Sequence, residues 1–217
     1  MDRGQAPEAA LTPQLVSSVA WLVAITSAAI AVSPRSTTHR RRVTFAAIAV
    51  ALSCIPVAGW SLVRWLVGLG AVPSASSVIL LTVAAWERLT GGVVFGARDW
   101  RAAFRFYGAA ALLLYPMALG LVRFDPYALG WGTIWMPITL WAISLGLTWS
   151  RNRFALVLAA AVLAFDLRLL ESTNLWDYLI DPPLATMSLL MLATTPLRRL
   201  RGLWARPVPR PRVAGQA

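Results

Sequence analysis

The stretch PQLVSSVAWLVAITSAAIAVSPRSTTHRRR, residues 13–42, decides the fold of this chain. Its first part, 13–32, is a largely apolar run, and a cluster of arginines follows the pair Ser33-Pro34. A bilayer core about 30 Å thick needs roughly 20 such residues in a helix, so this run is long enough to span it. A secretory signal carries its positive charge before the apolar region. Arginines after the run therefore predict a retained first span with the N-terminus outside.

The composition of the whole chain agrees with a membrane protein. Of 217 residues, 58% are hydrophobic and 13% are charged, which leaves too little polar surface to cover a soluble globule. The net charge of +11 comes from basic residues that are all arginine, and these lie beside apolar runs rather than in a separate basic domain. Nucleic acid is therefore not an expected partner, whereas anionic lipid headgroups on the cytoplasmic side are. The arginines expected to contact those headgroups are Arg40, Arg41, Arg42, Arg198, Arg199 and Arg201.

The apolar runs predict an all-α, polytopic integral membrane helix bundle of about seven transmembrane helices. The predicted spans are 13–32, 43–60, 72–89, 104–122, 128–149, 154–170 and a last one that begins at 176 or 184 and ends at 197. Pro182-Pro183 would break a helix, so a short or re-entrant last span is the alternative. Residues 61–70 are expected to lie along the interface. A short exported tail, 1–12, precedes the bundle, and an Arg/Pro-rich cytoplasmic tail, 198–217, is expected to be disordered.

The distribution of arginine between the gaps predicts the orientation, because cytoplasmic loops retain basic residues. Four arginines fall on the predicted outer side, namely Arg3, Arg64, Arg123 and Arg168, and the other sixteen fall on the inner side. With seven spans, the N-terminus lies outside and the C-terminus inside. The tryptophans near predicted span ends agree with headgroup-level anchors: Trp60, Trp65, Trp131, Trp135 and Trp176 outside, and Trp86, Trp100, Trp149 and Trp204 inside.

The acidic residues collect on the opposite side from the arginines. Only Glu87 and Asp99 fall inside, and the densest polar cluster lies outside, around 123–127 and 166–181. The candidate outer binding residues are Asp125, Tyr127, Asp166, Arg168, Glu171, Asn174, Trp176, Asp177 and Asp181. Arg168 and Glu171 could pair on one helix face, and Asp177 and Asp181 could line one face of a short turn. These residues could equally serve as helix caps, interfacial anchors and an ordinary ion pair.

The sequence offers little for catalysis or cofactor binding. A single cysteine, Cys54, excludes an internal disulfide, and a single histidine, His39, leaves no basis for a multi-histidine metal or haem site. No phosphate loop or glycine fingerprint is present. We therefore predict no metal, no cofactor and no assigned catalytic residue, and carboxylate chemistry is the only enzymatic option left.

Three functions compete at this stage. The first is a non-catalytic membrane subunit or scaffold whose acidic outer surface engages a membrane or periplasmic partner protein or a lipid. The second is a small-solute or cation transporter that uses Asp166 and the outer carboxylates, with Pro56, Pro116 and Pro137 kinking its helices. The third is an enzyme that acts on a lipid-linked substrate at the outer face, with Asp125 or Asp177 as base. Richness in alanine, arginine and proline without lysine predicts a GC-rich bacterial genome and an inner membrane location; the oligomeric state stays open.

Overall fold

The computed structural model describes residues 6–34, 36–68, 72–118, 120 and 125–204, with side chains for 15–34, 36–68, 72–117, 120 and 125–194. Of the described residues, 75% are helical, which is consistent with the predicted all-α class. Its helices are α1 Ala6–Val32, α2 His39–Cys54, α3 Leu62–Gly68, α4 Ala75–Thr90, α5 Ala97–Ala118, α6 Trp135–Trp149, α7 Phe154–Asp166, α8 Trp176–Leu179 and α9 Pro182–Trp204. A 3₁₀ turn covers Pro126–Gly130, and the two-residue strands β1 Pro56–Val57 and β2 Trp60–Ser61 pair antiparallel, with Pro56 opposite Ser61.

Each predicted span overlaps one of the longer helices, but the prolines act differently from the prediction. Helix α2 ends at Cys54, and Pro56 lies in the β-hairpin rather than kinking a span. Pro137 is the third residue of α6. The first N–H groups of a helix have no intrahelical partner, so proline at this position costs the helix no hydrogen bond. Of the three predicted kink positions, Pro116 alone lies beyond the first turn of a helix. It is in the last turn of α5, which ends at Ala118.

Pro182 and Pro183 follow the break between α8, which ends at Leu179, and α9, which they begin. They are the first two residues of α9, a position where proline fits because the first N–H groups of a helix have no intrahelical partner. Asp181 caps this helix, with Oδ1 accepting from the Leu184 N–H at 2.8 Å. The helical run that starts at Trp176 is thus interrupted at the predicted place, and the last long helix begins close to 184, the later of its two predicted starts. Helix α9 continues to Trp204, and the rest of the predicted tail, 205–217, lies outside the described residues, as does 1–5.

Helix α7 ends earlier than the predicted sixth span. It stops at Asp166, and Arg168 has a φ of 51°, in the left-handed region that terminates helices. Arg168 and Glu171 therefore do not share a helix face, and no ion pair joins them in the part of the chain that the structure describes. The prediction of a pair at helical spacing is wrong because the helix does not extend that far.

The core lies between α4, α5, α7, α8 and α9. Its largest fully buried side chains include Tyr107, Phe154, Leu158 and Tyr178. Helix α1 packs against α2 and α4, α5 packs against α9, and α6 packs against α7. Successive long helices run in alternating directions, so their ends collect at two poles of the bundle.

The two poles are named here by their charge. The arginine end contains 31–34, 36–42, 87–105 and 149–153, which are joined by hydrogen bonds from Arg88 to the Ala31 carbonyl and from the Arg153 N–H to Asp99. The carboxylate end contains 72–75, 125–135 and 166–184, which are joined by hydrogen bonds from the Ser74 N–H to Asp181 and from the Leu175 N–H to the Gly130 carbonyl.

Large apolar side chains are exposed along the flanks of the bundle. On α6, Trp135 is 72% exposed and Leu145 68%, and α2, α5, α7 and α9 also carry exposed leucine, isoleucine, phenylalanine or methionine. Among the described residues, one helix, in the window Leu15–Val32, is both long and apolar enough to cross a bilayer. The apolar helix α7 has 13 residues, which is about 20 Å at 1.5 Å per residue.

Candidate functional site

The carboxylate end is built on the 3₁₀ turn that precedes α6. Asp125 caps this turn: its Oδ1 accepts from the Tyr127 N–H at 2.9 Å, and Pro126 follows as the first residue of the turn. The Asp125 side chain is exposed, whereas Pro126 is buried. An aspartate before a proline is a strong cap because the carboxylate takes a backbone N–H that the turn leaves unpaired.

Asp177 connects this turn to the loop after α7. Its Oδ1 accepts from the Tyr127 hydroxyl at 2.7 Å, and its Oδ2 accepts from the Ser172 hydroxyl. Partial burial of the tyrosine raises its pKa, and the hydrogen bond to Asp177 and the charges of Asp177 and Asp125 raise that pKa further. The Tyr127 hydroxyl therefore stays protonated and donates to Asp177 at neutral pH.

Asn174 fixes the same two segments through its amide group. The side chain is 1% exposed; Nδ2 donates to the Tyr127 carbonyl at 3.0 Å and Oδ1 accepts from the Trp176 N–H at 2.9 Å. A Cβ added at Gly130 would lie 1.7 Å from Asn174 Oδ1, so the turn needs glycine here. The indole Nε1 of Trp176 donates to the Pro126 carbonyl at 3.0 Å. Asn174 and Trp176 therefore serve the fold.

Asp181 is the most buried of the outer carboxylates. It is 6% exposed, and its Oδ2 accepts from the Ser74 N–H at 2.8 Å while Oδ1 caps α9. Both acceptors are used by backbone N–H groups at the starts of α4 and α9. The prediction that Asp177 and Asp181 line one face of a turn is wrong, because α8 ends at Leu179 and the two carboxylates bind different partners.

The remaining predicted residues line a separate cleft at the same end. This outer cleft has a volume of about 570 Å³, and its lining includes Trp131, Asp166, Arg168, Glu171 and Thr173. All five are exposed. The charged side chains of the cleft have no hydrogen-bond or ion-pair partner within the described part of the chain. The nine predicted residues thus divide into three that line the outer cleft and six that hold the loops beneath it.

Three residues of this end were missed in the sequence analysis as contributors to the network. Ser172 donates to Asp177 and accepts from the Asn174 N–H at 3.0 Å, and Ser74 accepts from the Ser77 N–H at 3.1 Å as the cap of α4. Tyr178 is fully buried, and its hydroxyl donates to the Leu170 carbonyl at 2.8 Å. A serine whose hydroxyl can accept the backbone N–H two or three residues further along the chain is a local signal that could have identified the first two.

At the arginine end, the two carboxylates also bind backbone N–H groups. Glu87 Oε1 accepts from Val94 at 2.8 Å, and Asp99 accepts from Gly96 at 2.8 Å and from Arg153 at 3.0 Å. These bonds fix the loop between α4 and α5 against the start of α7. No ion pair between an arginine and a carboxylate is found among the side chains described from 72 to 117 and from 125 to 194.

The predicted headgroup-contacting arginines differ in their surroundings. Arg40 and Arg41 are exposed on α2, whereas Arg42 is half-buried and its guanidinium donates to the Arg88 carbonyl. Part of Arg42 is thus used within the fold. Arg198, Arg199 and Arg201 lie on α9, and their side chains are outside the described set.

Within the described residues, no three His, Cys, Asp or Glu side chains come together in the way a metal site requires. No protein-family model matches this chain, and neither a curated protein nor a solved structure matches it significantly. The functional argument therefore depends on the geometry of the two ends.

Proposed function

We propose that this chain is a polytopic integral membrane protein of about seven spans, a non-catalytic subunit or scaffold whose carboxylate end faces outward and holds a partner protein in the outer cleft. The bilayer part of the proposal is supported by the exposed apolar flanks. A soluble monomer rarely exposes a continuous apolar surface of this kind, whereas lipid covers it at no cost. The exposed indoles of Trp135 at one end of α6 and Trp149, 90% exposed, at the other also support it, because tryptophan is typical of the headgroup level.

The observation that carries the docking part is the contrast between occupied and unoccupied charges at the carboxylate end. Asp125, Asp177 and Asp181 all accept hydrogen bonds from the fold itself. Asp166, Arg168 and Glu171 lie exposed around the outer cleft with no partner in the described chain. The hydrogen-bonded loops fix the backbone at this end, and the cleft presents unpaired charges of both signs. This arrangement favours recognition of a protein segment with complementary charges.

The same contrast argues against an enzyme. The two residues considered as general base, Asp125 and Asp177, do not line the outer cleft. Both Asp177 oxygens accept from hydroxyl groups that hold loops together. A general base must reach the proton it removes, and these carboxylates are committed to the fold instead.

Photo-crosslinking in the native membrane tests the docking proposal. A photoreactive amino acid at Thr173, inside the outer cleft, should give a discrete protein adduct, while the same group at Leu156, exposed on the flank of α7, should give lipid adducts. The combined charge reversal Asp166→Arg/Glu171→Arg should remove the Thr173 protein adduct without reducing the amount of folded protein. Lipid adducts alone at Thr173, or a protein adduct that the reversal leaves unchanged, would exclude the proposed docking site.

A transporter is the second candidate, favoured by hydroxyl groups buried within the bundle. Ser76 on α4, Tyr107 on α5 and Ser188 on α9 are each 0% exposed; the hydroxyls of Tyr107 and Ser76 interact with each other, and that of Ser188 has no hydrogen-bond partner in the described chain. Unpaired polar groups at such depth are costly and can mark a polar pathway. Solute or cation uptake in proteoliposomes that is lost in Tyr107→Phe would support this candidate; no uptake by the wild type would exclude it.

A further inference from the structure

A second groove lies at the arginine end, between the start of α5 and the turn before α7. This arginine groove has a volume of about 320 Å³ and is lined by Arg98, Arg101, Ala102, Arg105 and Asn152. The three arginines are spaced three and four residues apart on α5, so they lie along one face of the helix. All three are exposed, whereas Asn152 is 5% exposed.

No carboxylate lines the groove, and none forms an ion pair with its arginines in the part of the chain that the structure describes. The nearest acidic residue in sequence, Asp99, accepts from the N–H groups of Gly96 and Arg153 and does not line the groove. Glu87 is likewise bound to the loop at Val94 and Phe95. Arg101 Nε donates to the Ala97 carbonyl at 3.0 Å, which holds its side chain against the helix and leaves its terminal nitrogens without a partner in the described chain.

Asn152 adds a neutral donor at the buried wall of the groove. Its Oδ1 accepts from the Phe154 N–H at 3.0 Å, which determines which way the amide group is turned. The amide Nδ2 has no hydrogen-bond partner in the described part of the chain. Because Asn152 lines the groove and its Nδ2 is not among the buried unpaired atoms of the described residues, this N–H group is open to the groove and can donate to a ligand there.

The groove thus offers donors from guanidinium and amide groups, next to the N-terminal turn of α5, where the helix dipole also favours an anion. Planar guanidinium groups match the oxygens of a phosphate and bind them by paired hydrogen bonds. From this set we propose that the arginine groove binds the phosphate of an anionic phospholipid.

A lipid is favoured over a soluble phosphate because of the position of the groove. Trp149, 90% exposed, lies three residues before Asn152, and exposed tryptophan is typical of the headgroup level. This inference rests on the bilayer placement proposed above and is independent of what the outer cleft binds.

The test uses the full-length protein purified in neutral detergent and stripped of lipid. Native mass spectrometry counts bound lipid, and thermal unfolding measures stabilisation, during titration with phosphatidylglycerol, phosphatidylcholine or inorganic phosphate. We expect preferential binding of phosphatidylglycerol. The variant Arg98→Gln/Arg101→Gln/Arg105→Gln should bind it roughly tenfold more weakly or worse, because hydrogen bonds to a charged group are lost.

Two further variants distinguish specific binding in the groove from the effect of net positive charge and from a loss of folded protein. Asn152→Asp keeps an acceptor for the Phe154 N–H but replaces the free donor by a carboxylate oxygen, so phosphatidylglycerol binding should fall while the lipid-free protein stays folded. Arg151→Gln removes one charge from the same turn outside the groove and should change binding by no more than about twofold, because exposed charges contribute little.

Three results would overturn the proposal: equal binding of phosphatidylcholine, unchanged binding by the triple variant, or saturation of the groove by inorganic phosphate that phosphatidylglycerol cannot displace. The last result would assign the groove to a soluble phosphate compound. Loss of the protein from carbonate-washed membranes would instead contradict the bilayer placement, so the two failures can be distinguished.

Discussion

The two ends of the bundle use their carboxylates in the same way but differ in the charges that remain. At the carboxylate end, Asp125 and Asp181 accept backbone N–H groups at the starts of a turn and of two helices. At the arginine end, Glu87 and Asp99 do the same for the loop between α4 and α5. What is left for an external partner is a mixed-charge cleft at one end and arginines alone at the other.

This difference shows that a charged residue can either form hydrogen bonds within the fold or remain available to a partner, and that its position in the sequence does not tell which. The excess of acidic residues on the predicted outer side looked like a binding surface, yet three of the five whose side chains are described, Asp125, Asp177 and Asp181, accept hydrogen bonds from the fold. Because hydrogen bonds within the fold fix these carboxylates, and Asp181 is also buried, the number of acidic residues overstates the charge that a partner can reach. The arginines have few such roles, so their number is the better guide to the available charge.

The largest effect is expected at Asp181. Asp181→Ala removes the acceptor for the Ser74 and Leu184 N–H groups in a buried place, which should cost about 3 kcal/mol of unfolding free energy. The measurement is unfolding in detergent, followed by helical circular dichroism. Asp125→Ala, which removes an exposed cap, should cost about 1 kcal/mol or less, and equal losses in the two variants would contradict the assigned roles.

The next effect is expected at Gly130. A methyl group there would overlap Asn174 Oδ1 and come within 2.8 Å of Trp176 Cδ1, so Gly130→Ala should destabilise the protein by about 2 kcal/mol. Gly146 in α6 is the matched control, since an added Cβ there meets nothing within 4 Å. Gly146→Ala should be neutral or stabilising by about 0.5 kcal/mol. Similar melting temperatures for the two variants would show that the turn does not need its tight contact.

A smaller effect with a pH signature is expected at Tyr127. The folded-state pKa of this tyrosine lies above its ordinary value of 10.0, first because of burial and then because of Asp177. The stability it contributes is therefore complete below pH 10 and is lost as the pH rises from there through the folded-state pKa. Tyr127→Phe should cost about 1 kcal/mol at neutral pH, and the gap between wild type and variant should narrow above about pH 10. A gap that stays constant to pH 11 would contradict the hydrogen bond to Asp177.

The smallest effect is expected at the outer cleft itself. Asp166→Asn and Glu171→Gln should each change the unfolding free energy by less than about 0.5 kcal/mol, because neither side chain has a partner in the described chain. The same unfolding assay applies. A loss of unfolding free energy comparable to that of Asp181→Ala would mean that Asp166 and Glu171 stabilise the fold. The proposed distinction between cleft residues and fold-stabilising carboxylates would then be wrong.

The helices and their order could be predicted from the sequence because apolar run length and arginine position are local signals. The structural effects of Pro56 and Pro137 were predicted less well, because Pro56 lies in a β-hairpin and Pro137 in the first turn of α6, where neither kinks a helix. At Asp181-Pro182 the interruption between α8 and α9 lies where the sequence predicts it, but the hydrogen bond from the Ser74 N–H to Asp181, 107 positions away, was not predicted. The contact between Tyr127 and Asp177 joins residues 50 positions apart, and nothing in either local sequence indicates it. The division of the outer residues into cleft and support is therefore a tertiary property.

The opposite placement of the two ends across a membrane is the central claim, and cysteine labelling tests it most directly. In a Cys54→Ser background, single cysteines are placed at Thr173, at the carboxylate end, and at Val93, which is 75% exposed in the loop after α4. The label is a membrane-impermeant maleimide applied to intact spheroplasts. We expect Thr173→Cys to react before the membrane is disrupted and Val93→Cys to react only afterwards. Labelling of both positions in intact spheroplasts, or the reverse order, would contradict the account.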